Sequence, residues 1–341
     1  MKGAHSTPRK PLETLITLGV GLVVGIGIGM YGASGSSDGA GIASQAVSFV
    51  NDEQREFATN FRFVSPLLSC GVENNYSTNK DTQVLRERVG KLIETYTKKG
   101  TIAEAGVYYR ELNDGTWFGI HEDVQFTPGS LLKVPLALSL LRKADTDPAF
   151  ASSTVRYEGG AFLIPQHFPP TESMALGRDY SLTEAMRLML VYSDNIATQV
   201  LAQMITMEEL EEAYKKLGIE VPTGGDGYTM SVRTYASFFR ILYNGTYLTH
   251  SSSDALLAML TDSSFLQGIA AGVPKGTVVA HKFGERTRSE AEPAQLHDCG
   301  IVYKDKRPYA LCVMLRGKEI DTLPAVIADI SKTIFDSESS E

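Results

Sequence analysis

The chain is short of cysteine: Cys70, Cys299 and Cys312 are the three it has in 341 residues. That is too few for a disulfide scaffold, and no CxxC pair is present to hold zinc. The six histidines form no HExxH or similar pair, so neither a metal nor another cofactor is expected. Positive charge is also scarce. Thirty-two Lys+Arg stand against 40 Asp+Glu, a net charge of −8, which leaves no global basic field for nucleic acid. There is one tryptophan, Trp117, expected in a core, and no internal repeat. Hydrophobic residues at 43% and charged residues at 21% exclude a wholly disordered chain. The length allows one large or two small folded units.

One long stretch lacks charge altogether. Thr14 to Ala33, TLITLGVGLVVGIGIGMYGA, runs 20 residues without a charged side chain. A helix of that length rises about 30 Å, enough to cross a hydrocarbon core. Lys2, Arg9 and Lys10 precede it, and no basic residue follows until Arg55. The positive-inside rule places residues 1–13 in the cytoplasm and the rest of the chain outside. The alternative is a buried core helix, which is rarely charge-free for so long. Gly32, Ala33, Ser34 and Gly35 are small enough for a signal-cleavage site, so a single-pass anchor and a secreted product are both open. Gly27 to Gly32 spells GxGxxG, but it follows no strand and opens no soluble helix, so it does not read as a dinucleotide site.

Residues 34–80 read as a Gly/Ser-rich linker followed by an unassigned segment. Beyond them, Leu85, Val89, Leu92, Ile93 and Tyr96 form a helical stripe closed by Gly100. Ala105–Glu111 and Thr116–Ile120 read as strands joined at Asn113-Asp114-Gly115. From Gly129 to about Tyr247 the pattern is helical. Capping boxes begin at Ser181 and Thr206, and Ser231 caps a helix that runs to Tyr243. Strands return at Thr277–Phe283, Cys299–Tyr303 and Tyr309–Leu315. A last helix carries Pro324 in its first turn, and 336–341 is a polar tail. Short turns between consecutive strands imply antiparallel pairing. The expected architecture is therefore α+β: one antiparallel five-stranded sheet flanked by the terminal helices, beside a mainly helical part. Residues 81–335 form one catalytic unit. Cys299 and Cys312 fall on neighbouring late strands, as one disulfide or as buried free thiols.

Three short motifs could carry chemistry. Ser130-Leu131-Leu132-Lys133 follows Thr127-Pro128-Gly129 and opens the apolar run VPLALSLL. A serine in a first helical turn sits near free N–H groups, and a lysine three residues on lies over the same face. An amine there can take the serine proton if its pKa is lowered. The pattern is weak alone: Ser77 to Lys80 repeats it in a polar loop, and a helix N-cap is the ordinary explanation for Ser130. Ser193-Asp194-Asn195 is rarer, although it also suits a loop between helices. Lys282-Phe283-Gly284 ends the strand TVVAH, and glycine there lets a ligand approach the backbone.

In this order the three motifs resemble those of the serine β-lactamase and penicillin-binding protein superfamily, class A-like. TPGSLLKVPLAL, YSLTEAMRLMLVYSDNIATQVL and AAGVPKGTVVAHKFGE extend the resemblance to about residues 82–335. It implies a β-lactamase/transpeptidase-like fold and an acyl-enzyme route. Ser130 would attack an amide or lactam carbonyl. Lys133 would be its base, kept deprotonated by Lys282. Ser193 would relay a proton to the leaving nitrogen, and Asn195 would bind the substrate's side-chain amide. Lys282 would also draw the substrate carboxylate. The backbone N–H groups of Ser130 and Glu285 would form an oxyanion hole. Asp194 would brace its loop.

Two departures from the family pattern stand out. Class A β-lactamases carry an ExxLN motif between the second and third motifs, whose Glu orients the deacylating water. Here that stretch is short, LGIEVPTGGDGYTMS, with Glu220 and Asp226 its only carboxylates. Phe283 replaces the usual Thr or Ser, which removes a hydroxyl for the substrate carboxylate; Arg286 or Arg288 could take its place. The sequence thus points to a serine hydrolase acting on β-lactams. A penicillin-binding D,D-peptidase-like enzyme acting on D-Ala-D-Ala-type peptides, or a tethered acylatable sensor with slow or no turnover, are the alternatives.

Overall fold

A computed structural model describes residues 61–65, 80–160, 165–219, 221, 228–287, 292–305 and 307–337. The uncharged run 14–33, Cys70, Glu220, Asp226 and Arg288 lie outside the described residues. Among the described residues no helix is long and apolar enough to cross a membrane.

The sheet is built from β1 (Ile102–Glu111), β2 (Trp117–Ile120), β5 (Val278–Arg286), β6 (Ala294–Tyr303) and β7 (Tyr309–Gly317). Their spatial order is β2-β1-β7-β6-β5, every pair antiparallel, so β5 is an edge strand. The period of two along β1 feeds two cores. Val107 and Tyr109 face the terminal helices, and Tyr108 faces the helical block. The terminal helices are α1 (Lys80–Lys98), burying Leu85, Val89 and Ile93, and α9 (Leu323–Ser337), burying Val326, Ile327, Ile330 and Ile334. Trp117 is buried against Tyr108, as a core tryptophan should be.

The helical block holds α2 (Lys133–Thr146), the short α3 (Pro148–Ala151), α4 (Leu182–Val191), α5 (Asn195–Ala202), α6 (Met207–Lys216), α7 (Val232–Tyr243) and α8 (His250–Thr261). Both expected capping boxes form, Ser181 with Glu184 and Thr206 with Glu209, and Ser231 caps α7. A two-stranded ribbon, β3 (Thr154–Arg156) with β4 (Asp179–Ser181), interrupts the block. Three-residue strands are too short to leave an alternation in the sequence.

The late strands are longer than the apolar pattern indicates. β6 begins at Ala294 rather than Cys299, because Gln295, His297 and Asp298 are buried polar residues that break the alternation. Each has partners, as burial requires. Asp298 accepts from Ile269 N at 2.8 Å and lies 2.8 Å from His281 Nδ1; the other two hold the loop before Ser130. Cys299 and Cys312 stand opposite each other on β6 and β7 and form a disulfide, which decides between the two states left open above.

Residues 61–65, within the stretch read as linker and unassigned, pack into the domain. Phe63 and Val64 are buried, and Phe63 N donates to Asp254 Oδ1 at 2.6 Å. Ser65 N donates to Tyr243 O at 2.6 Å, and Tyr303 OH donates to Phe63 O at 3.0 Å. Two buried apolar side chains at about 1.5–3 kcal/mol each, with three hydrogen bonds at about 1 kcal/mol each, slightly exceed the ordering of five residues at about 1 kcal/mol each, so the clasp is a modest stabiliser. A chain beginning at residue 80 should therefore unfold a few degrees below one beginning at residue 60, by about 2 kcal/mol in urea denaturation. Equal midpoints would mean the clasp contributes nothing.

Candidate active site

Ser130 lies in a 3-10 turn, Gly129–Leu132, ahead of α2 rather than in the first turn of the α-helix as the sequence suggested. The turn is closed by Leu131 N donating to Pro128 O at 3.1 Å, and Gly129 takes φ +55°. The loop before it is pinned at both backbone groups of Thr127. Its N–H donates to Gln295 Oε1 at 3.1 Å, and His297 Nε2 lies 3.0 Å from its carbonyl. Burial pushes the His297 pKa down to about 4, so the ring is neutral near pH 7 and Nε2 carries the proton it donates. From the other side, Tyr235 of α7 donates to Leu131 O at 2.8 Å.

Two glycines let this turn press against the edge strand. A Cβ on Gly129 would stand 2.4 Å from Glu285 O, and one on Gly284 would stand 2.5 Å from Pro128 O. Gly284 was expected to let a ligand approach; what its missing Cβ admits here is the turn that carries Ser130. In an antiparallel strand a residue's N–H and C=O point to the same side. Glu285 O touches Gly129, so the Glu285 N–H also points away from β6 towards the serine turn.

Lys133 opens α2 and is 3% exposed. Its Nζ donates to Ser193 O at 2.6 Å, Asn195 Oδ1 at 2.9 Å and Ser193 Oγ at 3.0 Å. These three acceptors match the three N–H bonds of an ammonium. Burial nevertheless pulls its pKa down to about 7, against the opposing pull of the Asp194 and Glu285 carboxylates. Ser193 adopts φ +59°, uncommon for a non-glycine residue. That strained conformation turns both of its oxygens to one amine. Asp194 holds it there: its carboxylate accepts from Ile196 N, Ala197 N, Ser173 Oγ and Met174 N. Gln166 Nε2 adds a second donor to Ser193 O at 3.1 Å.

Lys282 is fully buried, and its Nζ donates to Phe283 O at 3.0 Å. Burial, and after it the charge on Lys133, push its pKa well below the usual lysine value. Burial is thus the largest cause of the lowering at both lysines. Lys282 does not reach the cavity to draw a carboxylate. Phe283 is stacked on Phe265 at 4.3 Å between ring centroids, and the Lys282 amine lies 4.1 Å from the Phe283 ring centroid. Glu285 accepts from His167 N at 3.0 Å and Phe168 N at 3.1 Å, tying β5 to the loop that carries Gln166. Burial raises its pKa, and those two N–H groups partly offset the rise.

A cavity of about 490 Å³ joins these parts. Ser130, Lys133, Asn195 and Glu285 line it; Ser193, Lys282 and Gly284 stand behind the wall. Arg286 and Thr287 line it too, along the edge strand. Sequence reasoning missed Gln166, Tyr235, Gln295 and His297, which act through contacts across the fold and carry no local signal. It also missed the lining pairs on α5 and α6, which their four-residue spacing could have revealed. Among the described residues no group of His, Cys, Asp and Glu could hold a metal ion.

Comparison with known proteins agrees with this geometry. The model of the beta-lactamase enzyme family matches residues 84–337. The extended-spectrum beta-lactamase PER-1 of Pseudomonas aeruginosa is 22% identical over 288 residues, 78% of this chain and 91% of its own length. A beta-lactamase from Chitinophaga pinensis superposes with TM-score 0.65 at 22% identity, covering 75% of this chain and 100% of its own. PBP-A superposes with TM-score 0.62 at 19% identity, covering 76% and 97%. At such identities the structures speak for the fold.

Replacing Gly284 by alanine forces its Cβ against the Pro128 carbonyl. Overpacking of this kind costs about 1–3 kcal/mol. Gly284→Ala should lower stability by that much in urea denaturation and slow any acylation of Ser130. Unchanged stability would show that the strand and the serine turn can part freely.

Proposed function

The chain belongs to the beta-lactamase enzyme family, and we propose that it is a serine hydrolase acylated at Ser130 by β-lactams, which it then hydrolyses slowly. One arrangement carries this reading: a half-buried serine one helical turn from a buried amine whose pKa is about 7, in one cavity. At neutral pH a large share of Lys133 is then a free base, whereas a solvated lysine would be almost wholly protonated.

In this mechanism Ser130 Oγ attacks the lactam carbonyl carbon while its proton passes to Lys133 Nζ. Lys133 Nζ, which lines the cavity and is held by Ser193 Oγ at 3.0 Å, passes that proton on to the lactam nitrogen as the C–N bond breaks. The ring-opened acyl group stays on Ser130 as an ester. The Ser130 and Glu285 N–H groups hold the carbonyl oxygen as it gains charge. The substrate carboxylate meets Arg286 and Thr287, since Lys282 and Phe283 are turned away from the cavity.

Slow turnover follows from the carboxylates. Among the described residues that line the cavity the carboxylate is Glu285, and its oxygens are engaged by His167 N and Phe168 N. The short Lys216–Ser231 stretch carries no ExxLN. These features also favour the second reading, a penicillin-binding D,D-peptidase-like enzyme, because a long-lived ester is what such enzymes form with β-lactams. The uncharged run 14–33 supports a membrane anchor with the domain outside the cytoplasm. The Cys299–Cys312 disulfide supports an oxidising compartment.

Intact mass after incubation with a penicillin tests the nucleophile: the protein should gain one adduct that Ser130→Ala does not. An unmodified wild type would overturn the proposal. A chromogenic cephalosporin should give a burst followed by slow release, whereas fast steady turnover would require a deacylating base elsewhere. The acylation rate should fall as pH drops through about 7, because protonation removes the base; a flat profile between pH 5.5 and 8.5 would exclude Lys133. Arg286→Gln should slow acylation by a free-acid penicillin about tenfold and leave its methyl ester unaffected, given the usual worth of one charge-assisted bond. Equal effects on acid and ester would remove Arg286 from carboxylate binding.

A further inference from the structure

Once acylation is over, Lys133 is a base again. It took the Ser130 proton and gave it to the lactam nitrogen, so the ester stands in one cavity with a neutral amine. An amine can take a proton from water, but it does not fix where the water oxygen points. That task falls to a hydrogen-bond acceptor on the cavity wall. The other acceptors near Lys133 are engaged. Asn195 Oδ1 takes Lys133 Nζ at 2.9 Å, and Glu285 takes two loop N–H groups. Thr198 Oγ1 donates to Asp194 O at 2.6 Å, and the Tyr214 hydroxyl pairs with Tyr228.

Gln166 differs. It is half-buried, lines the cavity with Ser130 and Lys133, and donates Nε2 to Ser193 O at 3.1 Å. That partner is a carbonyl, so the nitrogen end of the amide must face it and the oxygen end is the one left over. Among the described residues nothing donates to Gln166 Oε1. Lys133 Nζ donates to the same Ser193 carbonyl at 2.6 Å. Two donors on the two lone pairs of one carbonyl stand about 5 Å apart, a gap that one bridging water spans. The loop that carries Gln166 is held at its next two residues. His167 N and Phe168 N donate to Glu285, and His167 Nε2 lies 2.6 Å from Asp321 Oδ1.

We propose that Gln166 is a catalytic residue of ester hydrolysis: its Oε1 accepts a hydrogen bond from the attacking water and aims that water at the Ser130 ester. The proposal rests on Ser130 being the acylated nucleophile, and it adds the group that serves the second half of the reaction. The water oxygen bonds to the ester carbonyl carbon while one of its protons goes to Lys133 Nζ. The bond from that carbon to Ser130 Oγ then breaks, Oγ takes the proton back from Nζ, and the ring-opened acid leaves. A neutral amide orients a water without deprotonating it, which fits slow turnover.

The test separates formation of the ester from its loss. The full chain is acylated with benzylpenicillin, the excess is removed, and the adduct is followed by intact mass. Gln166→Met keeps the length of the side chain and removes the amide. It should slow release about tenfold more than it slows acylation. A residue that only braced Ser193 would slow both steps alike. Gln166→Glu keeps an acceptor oxygen and loses the N–H bond to Ser193 O, so it should release the adduct faster than Gln166→Met. Three results would each overturn the role of Gln166 while leaving the nucleophile in place: release slowed no more than acylation in Gln166→Met, a Gln166→Glu adduct as persistent as that of Gln166→Met, or a wild-type adduct that never clears. No adduct on folded wild-type protein would remove the nucleophile reading, and this role with it.

Discussion

The site depends on keeping one amine out of water. Lys133 sits where helix, loop and sheet meet, 3% exposed, with Ser193 O, Ser193 Oγ and Asn195 Oδ1 as its partners. An amine so placed is costly as a cation and tolerable as a base, which is why its pKa falls to about 7. Much of the neighbouring structure serves that position. Asp194 satisfies four donors and so holds Ser193 at an unfavourable φ. Gln166 shares the Ser193 carbonyl, and Glu285 holds the loop on which Gln166 stands.

The second constraint is contact between backbones. The turn bearing Ser130 lies against the edge strand so closely that no side-chain atom fits between them at Gly129 or Gly284. The serine turn and the strand are thereby held at a fixed spacing by main chain, which side chains with several rotamers could not match. Buried polar residues then hold the loop from behind. Gln295 and His297 of β6 take both backbone groups of Thr127, and Tyr235 of α7 takes the Leu131 carbonyl. Polar side chains in a sheet interior weaken the fold unless they are paired, and here the pairing is the reason they are present.

The parts of this arrangement that were legible in the sequence are local. Ser130 and Lys133 are one helical turn apart, Ser181 and Thr206 announce their helices, and a turn signal at Asn113-Asp114-Gly115 joins β1 to β2. The antiparallel sheet and its flanking helices followed from such signals. What could not be read depends on what lies across the fold. Period two shows that Lys282 and Phe283 face opposite sides of a strand. It does not show that the Lys282 amine is sealed over the Phe283 ring, or that this ring stacks on Phe265. Gln166 and His297 have no neighbours in sequence that explain them. The early start of β6 was hidden because its polar residues look like loop until their partners, distant in the chain, are known.

The clasp at residues 61–65 has a mechanical consequence. It holds the C-terminal end of α7 through Tyr243 and the far end of β6 through Tyr303. The other ends of those same elements hold the serine loop, through Tyr235 and through Gln295 and His297. A helix of 12 residues is about 18 Å long, and the eight steps along β6 from Gln295 to Tyr303 cover about 26 Å. The chain therefore enters the domain at the back. A pull exerted on it there would first have to break the clasp, and any strain would cross the length of the core before it reached the cleft.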